Sequence, residues 1–123
     1  MITKDKRERI IKKVKDYQQC LGLGHWELNI LFSPIKVKGI KGIVAGQCDC
    51  NSRYLLADIT FNSKLDNIHD ETIIHELCHC ILAEMQGYCE SNGLKDNWTQ
   101  YFNERATSHI SNMFVKIIKS KLK

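Results

Sequence analysis

The chain has 123 residues, 43% of them hydrophobic, with seven glycines and one proline; that suits one compact domain, residues 1–123, and leaves no linker-like stretch to divide it. No apolar run approaches the roughly 18–20 residues of a membrane span, and the opening Met-Ile-Thr-Lys-Asp-Lys-Arg-Glu-Arg lacks the apolar stretch of a signal peptide, so a cytoplasmic protein without membrane association is expected. The formal charge of +4 comes largely from lysines and arginines between Lys4 and Lys15 and between Lys116 and Lys123; Asp5, Glu8 and Asp16 interrupt the first cluster, and charge alone permits nucleic-acid association without pointing to it.

Thr3 is a predicted N-cap, followed by Ile10, Val14, Tyr17 and Leu21 at helical spacing, with Gly22 as the left-handed stop. Trp26, Leu28, Ile30 and Phe32 alternate with polar residues and predict a strand that ends at Ser33 and Pro34. A second strand is predicted from about Ile43 to Cys50, a hairpin turn at Asn51 and Ser52, and a third strand from Tyr54 to Asn62 with Leu55, Ala57, Ile59 and Phe61 on one side. Two helices complete the order, one from about His69 to Gln86 stopped by Gly87, the other from about Asn97 to Lys121, with a loop from Gly87 to Lys95. The expected fold is α+β, a three-stranded antiparallel sheet with the helices on one face.

Within the fourth element stands His75-Glu76-Leu77-Cys78-His79, an H-E-x-x-H pattern. Residues four apart share a helix face, so both imidazoles can reach one ion, while Ile73, Ile74, Leu77 and Ile81 occupy the opposite sector for packing. At background frequencies of about 2% for His and 6% for Glu, a chain this long holds the pattern by chance in well under about 1% of cases. Zinc suits two neutral imidazoles, and a catalytic zinc keeps one of four positions open for water. Glu76, adjacent and not itself a ligand, is placed to take that water's proton and deliver it to a leaving amine.

A third protein ligand is required. Glu104 and His109 on the last helix are both candidates: the apolar stripe Trp98, Phe102, Ala106, Ile110, Met113 and Ile117 lies nearly opposite Glu104, and His109 lies at its edge. Periodicity leaves the choice open, because a ligating Glu104 requires its polar strip to face the metal cleft and not bulk water.

H-E-x-x-H followed by a glutamate on a later helix resembles the gluzincin group of zinc peptidases, particularly the compact minigluzincins. The segment Glu104-Arg105-Ala106-Thr107 is similar to the group's E-x-x-A signature, departing at Thr107. The resemblance covers most of the chain in layout and implies a zinc-dependent peptidase with His75, His79 and Glu104 as ligands of one zinc ion and Glu76 as base. It implies a peptide or protein substrate paired along Tyr54–Asn62 as a sheet edge, and Tyr101 or His109 as a second electrophile for the oxyanion. It also implies that a zymogen-like latency is available, with the basic first helix or the tail after Ile118 over the cleft. Metzincins are excluded, since Leu82 and Met85 stand where their motif has Gly and His; the small peptidases of the SprT and ImmA types are close neighbours that the motif does not separate.

Six cysteines, Cys20, Cys48, Cys50, Cys78, Cys80 and Cys89, are expected to stay reduced in the cytoplasm. Two alternatives to the enzyme are a latent or inactive protein of the same fold that binds a partner, and a nucleic-acid-binding module in which Cys48, Cys50 and Cys78 or Cys80 join histidines around a structural zinc. Against the latter, Cys78 and Cys80 project to different sides of a helix and the usual two-residue ligand gap is missing.

Overall fold

The computed structural model describes residues 1–36, 42–91, 93 and 96–121, of which 84, 87–91, 96–103 and 121 are described as backbone alone. Helix α1, Lys4–Cys20, begins where Thr3 accepts a hydrogen bond from the Lys6 amide. It ends at a Schellman closure: Leu23 N–H donates to Gln18 O, Gly22 N–H to Gln19 O, and Gly22 takes φ +71°. Both ends follow the sequence, and Ile10 and Val14 bury the predicted face.

Strands β1 (Glu27–Ser33), β2 (Gly46–Asn51) and β3 (Leu56–Asn62) form a mixed sheet in the order β1-β3-β2. β2 and β3 are the antiparallel hairpin arms, but β1 runs parallel to β3, with Ile30 opposite Ile59 and Phe32 opposite Phe61. The expected all-antiparallel sheet is corrected on this point. Parallel neighbours need a connection longer than a tight turn, and residues 34–45 between β1 and β2 supply the length to cross to the far edge. Consequently β3 is central and not the edge that the resemblance implied; β1 and β2 carry the edges. Central placement fits its sequence, since Ala57, Ile59 and Phe61 are buried to within 2%.

The hairpin turn is longer than Asn51-Ser52. Asn51 Oδ1 accepts from the amides of Arg53 and Tyr54, an Asx turn, and Leu55 closes it at φ +55°, so β3 starts at Leu56 and not Tyr54. β2 likewise starts three residues later than Ile43.

Helix α2 runs Asp70–Ser91 and α3 Asp96–Lys121. α2 continues through Gly87 instead of stopping there; a mid-helix glycine costs only about 1 kcal/mol relative to alanine, and the left-handed residue after the helix is Gly93, at φ +91°. One hydrophobic cluster joins Ile10 and Val14 of α1, Ile73, Leu77 and Cys80 of α2, and the inner residues of all three strands, so α1 and α2 share one face of the sheet. Asp70, in the first turn of α2, accepts hydrogen bonds from Lys13 Nζ at 2.9 Å and Tyr17 Oη at 2.7 Å, tying α1 to α2. Burial alone would raise the Asp70 pKa; those two bonds outweigh it and hold the carboxyl below its ordinary value. Burial and the same bond push Tyr17 up to about 12.

α3 packs against α2, with part of its apolar stripe turned to solvent. Met113 and Ile117 are 56% and 47% exposed, whereas Thr107 and Ser111 are buried; Trp98 and Phe102 lie outside the described side chains. Small polar residues let α3 approach α2 closely, and that side chain set lies one and two turns after Glu104. No described helix is long and apolar enough to cross a membrane.

Candidate metal centre

The i, i+4 spacing of His75 and His79 on α2 sets their rings 5.0 Å apart, nearly perpendicular. Glu104, carried by α3, brings Oε1 to 3.3 Å from His79 Nε2 and Oε2 to 4.0 Å from His75 Nε2. One donor atom from each residue lies within 4.8 Å of the others, so one ion can be reached by all three. Glu104 therefore reaches the histidines of α2 and Ser111 lines the same side, which answers for these two residues the orientation question that the helical wheel left open. Burial, with repulsion from His79 and against the attraction of Glu104, lowers the His75 pKa; a neutral imidazole keeps the lone pair that a metal requires.

His79 also has a partner on its other ring nitrogen: Thr107 Oγ1 lies 3.4 Å from Nδ1, and Thr107 is fully buried. A group on the second nitrogen fixes a ligand's tautomer and ring angle. Sequence reading noted Thr107 only as a departure from a signature. The signal that could have found it was its place one turn after Glu104.

Glu76 turns toward the sheet side of the histidines. It is 4% exposed, and its Oε2 is buried with no hydrogen-bond partner among the described residues. Burial first, then the charges of Glu104 and Cys50, raise its pKa to about 8. Gly46 at the start of β2 makes room for it: a Cβ there would sit 3.3 Å from Glu76 Cγ, Thr72 Cγ2 and Phe61 Cδ1. The result is an open cleft of about 340 Å³ whose lining includes Gly46, Thr72, His75, Glu76 and Ser111.

His109 is exposed and does not join the His75–His79–Glu104 group. The side chain of Tyr101 lies outside the described residues. Among the described residues, neither α1 nor anything after Ile118 lines the cleft. A second group with metal-ligand spacing comprises Cys48, Cys50 and Cys80; it contains no histidine, and Cys78 is buried elsewhere on α2.

Both histidines, the carboxylate and the orphaned Glu76 oxygen fit a metal ion. Compared with family models, with curated proteins and with solved structures, the chain matches none.

Proposed function

We propose that this protein is a zinc-dependent peptidase of gluzincin type, with His75, His79 and Glu104 holding the ion and Glu76 as general base. The observation that carries the reading is the unpartnered, buried Oε2 of Glu76 beside three converging ligand atoms. A buried carboxylate without a partner costs stability, and such costs concentrate where chemistry uses them. The mixed nitrogen and oxygen ligand set suits zinc.

When bound, zinc would supply Lewis acidity, polarising a scissile carbonyl and acidifying water. Glu76, adjacent to His75 and beside the three converging ligand atoms, accepts the proton of the attacking water and returns it to the leaving amine. Thr107 holds the ring of His79. The substrate strand pairs with the β2 edge, since β3 is covered on both sides and Gly46 of β2 lines the cleft. Two cations of the basic surface are engaged within the chain, Lys13 with Asp70 and Lys119 with Glu71.

The test is metal content and hydrolysis of an unstructured polypeptide, on wild type, Glu76→Gln, Glu104→Ala and His109→Ala purified without added metal. The expectation is about one zinc per chain in wild type, Glu76→Gln and His109→Ala and loss in Glu104→Ala, with hydrolysis in Glu76→Gln falling by roughly 10²–10⁴. Absence of zinc from wild type, or undiminished hydrolysis by Glu76→Gln, would sink the reading.

A further inference from the structure

Cys48 and Cys50 are alternate residues of β2, so both point to its inner face. There they meet Cys80, which α2 directs into the core cluster. Cys48 Sγ is 3.2 Å from Cys50 Sγ, which is 3.7 Å from Cys80 Sγ, and all three sulfurs lie within 4.8 Å of one another. None of the described cysteines is in a disulfide.

Apolar packing does not require three sulfurs at one point, and a thiol is a weak donor and a weak acceptor, so hydrogen bonding gains little from gathering them. A Cys48–Cys50 disulfide would span two residues of an extended strand, about 6.6 Å between Cα atoms, at the top of the usual disulfide range of about 4.4–6.8 Å. A Cys50–Cys80 disulfide leaves Cys48 over. One ion at the centre of the triangle uses all three: three thiolates around a metal at about 2.3 Å stand about 4 Å apart, close to the observed spacing. No fourth donor joins the group among the described residues, which disfavours tetrahedral zinc and favours a soft ion content with three thiolates.

We propose that Cys48, Cys50 and Cys80 form a second metal site, distinct in ligands from the His75–His79–Glu104 centre, that takes one soft thiophilic ion of the Cu(I) class. Binding forms three metal–sulfur bonds and releases the thiol protons to solvent, with no change of oxidation state. Cys48 and Cys50 are half-buried, which leaves an entry path, and the ion staples β2 to α2.

The experiment is anaerobic transfer of Cu(I) from its bicinchoninate complex to the reduced, metal-free full chain. Wild type should withdraw one equivalent, Cys48→Ser and Cys50→Ser should each bind at least tenfold more weakly, and Cys20→Ser and the His75→Ala/His79→Ala double variant should bind as wild type does. Copper X-ray absorption on the wild-type complex should show three sulfur neighbours and no nitrogen, a readout independent of how the variants fold. Failure of wild type to withdraw copper, equal binding by Cys48→Ser, loss of binding with the histidines, or nitrogen in the copper shell would each overturn the proposal.

Discussion

Glu76 is ordinarily a cheap residue on a helix surface, and here it is buried without a partner for one oxygen. Its pKa, raised from 4.5 to about 8, sets the sign of a pH effect. Folded protein binds this proton more tightly than unfolded chain does, so the stability associated with it is fully present below about pH 4.5 and lost as pH rises to about 8. In chelator-treated protein, Glu76→Gln should therefore match wild type near pH 4.5 and exceed it above pH 8 by on the order of 3 kcal/mol, at about 1.4 kcal/mol per tenfold change in proton affinity with allowance for relaxation. Urea midpoints across that range check it; parallel profiles for the two proteins would show that Glu76 is not held neutral by the fold. Thr107 makes the complementary case of a polar group whose burial is explained by what it touches. Thr107→Val keeps the shape and removes the hydroxyl near His79 Nδ1, and should weaken metal binding roughly 10-fold to 100-fold, with Thr107→Ser restoring it. Competition against a chromophoric chelator reads this directly, and wild-type affinity in Thr107→Val would reduce the residue to a packing role.

At the level of elements, what could be read from sequence depended on whether the deciding information was local. α1 announced itself through Thr3, its apolar face and Gly22, because caps and periodicity are properties of neighbouring residues. On α2 the four-residue spacing of His75 and His79 and the aliphatic sector led by Ile73 and Leu77 were legible for the same reason. Strand order was not: alternation tells which face of β3 is buried and says nothing of whether β1 runs beside it parallel. The orientation of α3 was not legible either, because periodicity leaves open which strip turns inward; Met113 and Ile117 are exposed and Thr107 and Ser111 are covered. Three cysteines separated by up to 32 positions in the chain, Cys48 to Cys80, met only once β2 lay against α2. Gly46 belongs to this contact too. Its missing Cβ leaves the space where Glu76, Thr72 and Phe61 approach to 3.3 Å, so Gly46→Ala crowds three neighbours at once. The expected cost is about 1–2 kcal/mol, overpacking partly offset by reduced freedom of the unfolded chain, read as a lower urea midpoint with an unchanged slope. A variant as stable as wild type would mean that β2 can withdraw from α2 without penalty.

Across the whole molecule, α2 is the element on which everything else is assembled: the sheet and α1 on its aliphatic side, α3 on its histidine side. The exposed ion pairs that accompany this assembly, Met1 with Asp66 and Lys119 with Glu71, are screened by solvent and contribute little. The α2–α3 junction is a different matter, because its candidate ligand atoms come from both helices: His75 and His79 from one, Glu104 from the other. An ion there ties the last helix to the core, and its removal leaves a carboxylate facing two imidazoles in its place. Chelation should therefore act unevenly. A ligand at 100 times its dissociation constant stabilises the folded state by about 2.7 kcal/mol, so stripping the metal should lower the thermal midpoint by several degrees. Hydrogen exchange should accelerate most in α3 between Glu104 and Ser111, while the central turns of α2 and strand β3, held by the apolar cluster, keep their protection. Uniform loss of protection would place the metal's contribution in global folding instead, and unchanged exchange in α3 would mean that Glu104 does not bind the ion, whatever the histidines do.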